Sequence, residues 1–173
     1  MAFMKFSNKL IRLSKSCISR SEKRAVRRVL SNEFLGMGVE VKEFEEQLSL
    51  FFKRPTVCVV NGTAALHLAL QGSHIRSGDE VLVQSLTYLA SIQAISACNA
   101  VPVFCDIKDT DCSIDLKDAE KKLTSKTKAI MPVHYAGGAG SLNEIYAFAR
   151  NNQLRVIEDS AHAFGSYYND RLI

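Results

Sequence analysis

Glu80-Val81-Leu82-Val83-Gln84 is followed by a polar break, a helical stretch over residues 88–98, and a second apolar run, Val101-Pro102-Val103-Phe104-Cys105. A half-solvated strand would alternate apolar and polar residues. Runs that are apolar almost throughout read instead as strands covered on both faces. Two such strands joined by a helix make a parallel crossover unit. The same alternation continues in both directions. Upstream, Val57-Cys58-Val59-Val60 leads into a helix over 64–71, and residues 41–53 place Val41, Phe44, Leu48 and Phe51 at helical spacing with acids opposite. Downstream come a helical stretch over 115–123, the run Ala129-Ile130-Met131-Pro132-Val133, a helix over 141–151, and Arg155-Val156-Ile157. The expectation is a three-layer α/β/α fold with a mainly parallel sheet. No repeat, low-complexity stretch or linker interrupts it, so residues 1–173 read as one domain. Residues 167–173 look like a hairpin whose second strand has barely begun, which would leave a sheet edge open. On that sign the sequence reads as interrupted rather than complete.

Composition excludes several classes. The chain has 173 residues, 47% apolar and 23% charged, with nine Gly and three Pro, which argues against disorder, collagen and coiled coil. No apolar run approaches the roughly 20 residues of a membrane span, and residues 1–15 lack a signal-peptide core. Five Cys at 17, 58, 98, 105 and 112 form no CxxC pair. Cys58 and Cys105 sit in apolar runs, as reduced, buried thiols of a cytoplasmic protein would, and no metal site is expected. The net charge of +4 is uneven: residues 1–30 hold nine Lys/Arg against one acid, Glu22. A basic arm invites a nucleic-acid reading, because clustered cations release phosphate counterions. It carries only Phe3 and Phe6 as aromatics and no recognition motif, so a solvated helix face is the preferred reading, with no nucleic acid and no membrane as partners. Within it, residues 21–30 read as an N-capped helix with Ala25, Val26, Val29 and Leu30 turned inward.

In open α/β sheets ligands bind at the carboxyl ends of the strands. Asn61-Gly62-Thr63-Ala64-Ala65 follows the first run and opens a helix, whose free N–H groups beside a hydroxyl suit a phosphate. It is also an ordinary turn and N-cap. No GxGxxG or GxxxxGK[ST] occurs. Tyr88 opens the next helix, where its ring can cover a planar ligand or plug the core. Residues 132–140 form a Gly-rich loop that either admits a ligand to the backbone or simply joins strand to helix. The fourth end is Val156-Ile157-Glu158-Asp159-Ser160-Ala161-His162. Strand alternation sends Glu158 and Asp159 to opposite faces, so one of them meets the ligand cleft. His162 shares the face of Asp159 if a helical turn begins there; a helix N-cap Asp with a surface His is the alternative.

Taken together, these stretches resemble the N-terminal half of the DegT/StrS-type sugar-nucleotide aminotransferases, pyridoxal phosphate (PLP) enzymes of the aspartate aminotransferase fold (fold type I). The markers run from about Ile11 to Ile173: Leu35-Gly36-Met37-Gly38-Val39-Glu40-Val41, Phe44-Glu45, Asn61-Gly62-Thr63-Ala64-Ala65-Leu66, Gly78-Asp79-Glu80-Val81, Thr87-Tyr88, Pro132-Val133-His134 and Val156-Ile157-Glu158-Asp159-Ser160-Ala161-His162. Their order and spacing carry the resemblance. It implies that residues 1–173 are the N-terminal part of the PLP-binding large domain, without the small C-terminal domain. It implies a cofactor site in which Gly62, Thr63 and Ala64 hold the phosphate and Tyr88 stacks on the ring. Asp159 would pair with the ring nitrogen to keep the ring an electron sink, His162 would bond its phenolic oxygen, and Glu158 would point away. The family's Schiff-base lysine lies beyond Ile173, and no Lys follows Lys128. The expected protein is thus a truncated aminotransferase, inactive as given, of the kind that moves an amino group from a donor such as glutamate to a keto-sugar nucleotide for polysaccharide or other amino-sugar synthesis. A PLP-dependent sugar dehydratase and a non-catalytic PLP- or phosphate-binding remnant are the alternatives. A homodimer is implied for the full-length family.

Overall fold

The computed structural model describes residues 16–173. The readings that fall on residues 1–15, including Phe3, Phe6, the missing signal core and the start of the resemblance at Ile11, lie outside the described residues. The chain forms two compact units, one ending at Thr56 and the other running Val57–Ile173.

The first unit contains two helices, α1 (Arg20–Ser31) and α2 (Val39–Phe52). α1 begins in a capping box: Ser19 accepts from the Ser21 N–H, and Glu22 reaches back to accept from the Ser19 N–H at 2.5 Å. Each bond satisfies a donor that the first helical turn would otherwise leave open. Arg28 holds Glu40 through both carboxylate oxygens, at 2.8 and 2.9 Å. The inward-facing stripe expected for α1 is not formed. Ala25 and Val29 are half-buried, whereas Val26 and Leu30 are exposed. In α2, Val41 and Leu48 are half-buried but Phe44 and Phe51 are exposed. Two helices cannot cover two apolar stripes without a further layer to receive them.

The second unit is built on four strands: β1 (Glu80–Gln84), β2 (Val101–Cys105), β3 (Thr127–Met131) and β4 (Arg155–Val156). They are ordered β2-β1-β3-β4 and are parallel throughout. Four helices cover them: α3 (Gly62–Gly72), α4 (Leu89–Ala97), α5 (Leu116–Lys121) and α6 (Leu142–Asn151). Strand alternation divides the core into two clusters. Val81, Val83, Ala129, Met131 and Ile157 pack with Leu66 and Leu70 of α3 and Ala94 and Ile95 of α4. Leu82 and Ile130 face the other way, toward Ala119 of α5 and Ile145 and Ala149 of α6. These are the three layers and the parallel sheet anticipated above. Pro102 fits because β2 is an edge, where a strand can spare one N–H.

Val57-Cys58-Val59-Val60 departs from expectation. It pairs with no strand among the described residues, with Val57 at 76% and Val60 at 88% exposure. Apolar, β-branched residues favour an extended chain, yet the run forms no strand of the sheet among the described residues. Cys58 is half-buried, while Cys98 and Cys105 are buried. Burial pushes the Cys105 thiol up to about 11. Residues 167–173 do form a hairpin, β5 (Tyr167–Tyr168) with β6 (Arg171–Leu172). Asn169 and Asp170 both take positive φ in its two-residue turn, as a primed hairpin turn requires. Among the described residues no helix is long and apolar enough to cross a membrane, and no group of three metal-ligating side chains is present.

Candidate functional site

β1 connects to β2 on one side, and the chain then crosses back over β1 to β3. Connections leaving in opposite directions open a crevice at the carboxyl ends of β1 and β3, where doubly wound sheets take their ligands. Gln84, the last residue of β1 and fully buried, spans that crevice. Its amide N–H groups donate to the carbonyls of Leu86 (2.9 Å) and Cys112 (3.3 Å), and its carbonyl accepts from the Val133 N–H at 3.1 Å. One amide thus ties β1 to the loops that follow β2 and β3. Sequence reasoning passed over it. The available signal was a polar residue ending an otherwise apolar run.

Asp159 lies beside Val133 in a parallel bridge, accepting the His134 N–H and donating its own N–H to Pro132. Its side chain is buried, on the α3/α4 side of the sheet. Oδ2 accepts from the Ser91 hydroxyl at 2.7 Å and Oδ1 from the Ala161 N–H at 3.2 Å. Glu158 turns to the opposite side. It accepts from the Tyr146 hydroxyl on α6 and meets Nε2 of the buried His134 at 2.6 Å. The two neighbouring carboxylates therefore occupy opposite faces, as pleating demands. Each is compensated there by its own donors, without which burial would be costly.

α3 and α4 start at the same edge of the sheet as Asp159. Only seven residues, 73–79, separate α3 from β1, so α3 ends at the amino edge. Eleven helical residues rise about 16 Å, as far as five strand residues climb, which brings the α3 N-terminus level with the carboxyl end of β1. There Asn61 caps the helix, its Oδ1 accepting from the Ala64 N–H at 2.9 Å. The Ala64 N–H is thereby already engaged, whereas the first-turn N–H groups of Gly62 and Thr63 have no intrahelical acceptor, and the space beside Gly62 is open: a Cβ there would meet nothing within 4 Å. Tyr88 is the N-cap of α4 and is 79% exposed, so it does not plug the core.

His162 is exposed. No helix begins after Asp159; instead the chain makes a turn, with the Ala163 N–H on the Ser160 carbonyl. The Ala161 N–H bond to Oδ1 is a local Asx turn rather than a helix cap. The His162 ring lies 6.3 Å from that of Tyr135, edge to face. The Gly-rich loop meets this turn closely, since a Cβ on Gly137 would lie 3.2 Å from the His162 carbonyl oxygen.

A buried carboxylate with fixed donors, an open helix N-terminus with two free N–H groups and an exposed aromatic at one strand edge can take a ligand with a phosphate, a flat ring and a protonated ring nitrogen. These are the features of PLP, and the donor set fits it. The molecule is thus a doubly wound α/β protein with a ligand cleft of this chemistry at its strand ends. The chain belongs to the DegT/DnrJ/EryC1/StrS aminotransferase family, whose model matches residues 16–173. It is 46% identical over 115 residues to GDP-perosamine synthase of Escherichia coli O157:H7, covering 66% of this chain and 32% of that protein. It is 36% identical over 167 residues to the spore coat polysaccharide biosynthesis protein SpsC of Bacillus subtilis, covering 96% and 43%. An aminotransferase from Psychrobacter cryohalolentis superposes with a TM-score of 0.86 at 36% identity, covering 91% of this chain and 40% of that one. Spr1654 of Streptococcus pneumoniae in its PLP form gives 0.87 at 32%, covering 94% and 45%. The fold-type I expectation holds. The chain spans less than half the length of these relatives.

Proposed function

We propose that this chain supplies the cofactor-binding part of a PLP-dependent sugar aminotransferase that moves an amino group from a donor amino acid such as glutamate to a keto-sugar nucleotide. Relatives named as GDP-perosamine synthase and as dTDP-3-amino-3,6-dideoxy-alpha-D-galactopyranose transaminase support the substrate class. The carrying observation is the buried Asp159 carboxylate, held from two sides at the strand edge where Thr63 and Tyr88 begin their helices.

When bound, PLP serves as the electron sink for amino transfer. The Gly62 and Thr63 N–H groups and the Thr63 hydroxyl hold its phosphate at the positive end of α3. The Ala64 N–H joins them only by exchange with Asn61 Oδ1. Tyr88, exposed at the start of α4, would cover the ring. Asp159 would keep the ring nitrogen protonated by accepting a hydrogen bond from its N–H, and His162 would meet the phenolic oxygen. Glu158, occupied with His134 and Tyr146, stays out of the site. The role proposed for residues 62–64, 88, 159 and 162 is to bind and orient the cofactor.

Absorbance titration of the 173-residue chain with PLP tests this reading. A charge-assisted hydrogen bond is worth roughly 1.5–3 kcal/mol, so Asp159→Asn should weaken binding by about one to two orders of magnitude. Glu158→Gln should bind within about twofold of wild type, since it leaves the ligand side of the sheet unchanged. Equal losses in the two variants, or no loss for Asp159→Asn, would overturn the assignment.

A further inference from the structure

A carboxylate that meets a ring nitrogen must present one oxygen in one direction, and something has to stop it rotating. An ionised carboxylate only accepts hydrogen bonds. The single proton of Ser91, fully buried in α4, is therefore committed to Asp159 Oδ2 at 2.7 Å. Ser91 Oγ also lies 2.7 Å from Thr87 Oγ1. With its own proton spent, Ser91 can only accept there, so Thr87 donates. The competing acceptor for Thr87, the Tyr88 carbonyl, is more distant at 3.3 Å. The donors thus run in one direction, from Thr87, the residue before the N-cap of α4, to Ser91 in its first turn, to Asp159. Tyr88 sits between the two hydroxyl residues and caps the same helix.

We infer that Ser91 is a positioning residue for Asp159: backed by Thr87, it holds Oδ2 and so fixes the rotation of the carboxylate toward the ring nitrogen. This inference rests on the PLP reading above. It couples the residue beneath the ring nitrogen to the helix start that carries Tyr88, so that both are placed by one element. A serine buried for packing alone would accept any small replacement; a positioning serine needs its hydroxyl.

Two probes separate these cases: PLP, and the analogue in which carbon replaces the ring nitrogen. Ser91→Ala should weaken PLP about tenfold and the analogue less than twofold, with Ser91→Thr restoring most of the loss. Thr87→Val should weaken PLP about threefold and spare the analogue, which keeps the test available if Ser91→Ala does not fold. Equal losses on both probes, or unchanged PLP binding, would overturn the inference. A ligand-free measurement keeps it distinct from the PLP reading. In urea unfolding, Ser91→Ala and Asp159→Asn combined should depart from additivity by about fivefold in the equilibrium constant. Wild type that binds neither probe while the cycle shows coupling sinks the PLP reading and leaves the hold of Ser91 on Asp159 standing. An additive cycle sinks the hold itself.

Discussion

Gly140 shows how strictly one residue can be determined by its surroundings. Its φ is +54°, a conformation that L side chains rarely adopt, and a Cβ there would lie 2.4 Å from Ser113 Cβ. Backbone strain and overpacking each cost about 1–3 kcal/mol, so Gly140→Ala should destabilise the protein by about 2–6 kcal/mol, read as a lower urea midpoint. Unchanged stability would mean that the loops after β2 and β3 separate at little cost. Gly62 contrasts with it: open space surrounds its Cβ position. A Gly62→Ala variant should fold normally, so any phosphate affinity it loses belongs to the helix start itself.

At the scale of an element, α1 is held by its ends rather than by a buried face. Hydrogen bonds from the Ser19 side chain and backbone hold the Glu22 carboxyl down at about 2. A carboxyl lowered in the folded state contributes stability above its unfolded pKa and loses it as the pH falls through the folded one. The capping box should therefore be intact above about pH 4.5 and lost progressively toward pH 2, where Glu22 protonates. Circular dichroism of a peptide covering residues 16–33 should show helicity falling across that window, with Glu22→Gln flattening the change. A pH-independent signal would show that the box contributes nothing to α1. The paired cores of β1 and β3 rest on a different footing, because Val81, Leu82, Val83, Ile130 and Met131 are fully buried and each such side chain contributes roughly 1.5–3 kcal/mol by leaving water.

For the whole molecule, the apolar residues that find no cover matter most. Within the second unit, Val57, Val60, Leu68, Tyr88 and Leu89 are all more than half exposed, and contiguous exposed apolar surface favours association. The 173-residue chain should therefore self-associate, giving a light-scattering mass well above the 19.2 kDa of one chain. Substituting Val57 and Val60 with Lys should lower that mass. A stable monomer at tens of micromolar would count against this view of the surface.

The sequence by itself determined the layered architecture, because alternation of apolar runs with helical stretches is a local signal that survives without knowing any contact. Residues 80–84 and 101–105 read as strands with the bounds they adopt, and the opposite directions of Glu158 and Asp159 follow from pleating alone. Motifs that follow apolar runs were legible for the same reason: Asn61-Gly62-Thr63 and Glu158-Asp159 each come directly after one. Tertiary structure alone decided which partners they meet. Ser91 donates to Asp159 across 68 residues of sequence, and Gln84 joins Val133 across 49, distances that no local pattern encodes. The same holds for the exposure of Val57 and Val60 and for the exposed apolar residues of α1 and α2. Local chemistry marks a residue as apolar or strand-forming, whereas burial and pairing depend on whether another part of the fold arrives to complete them.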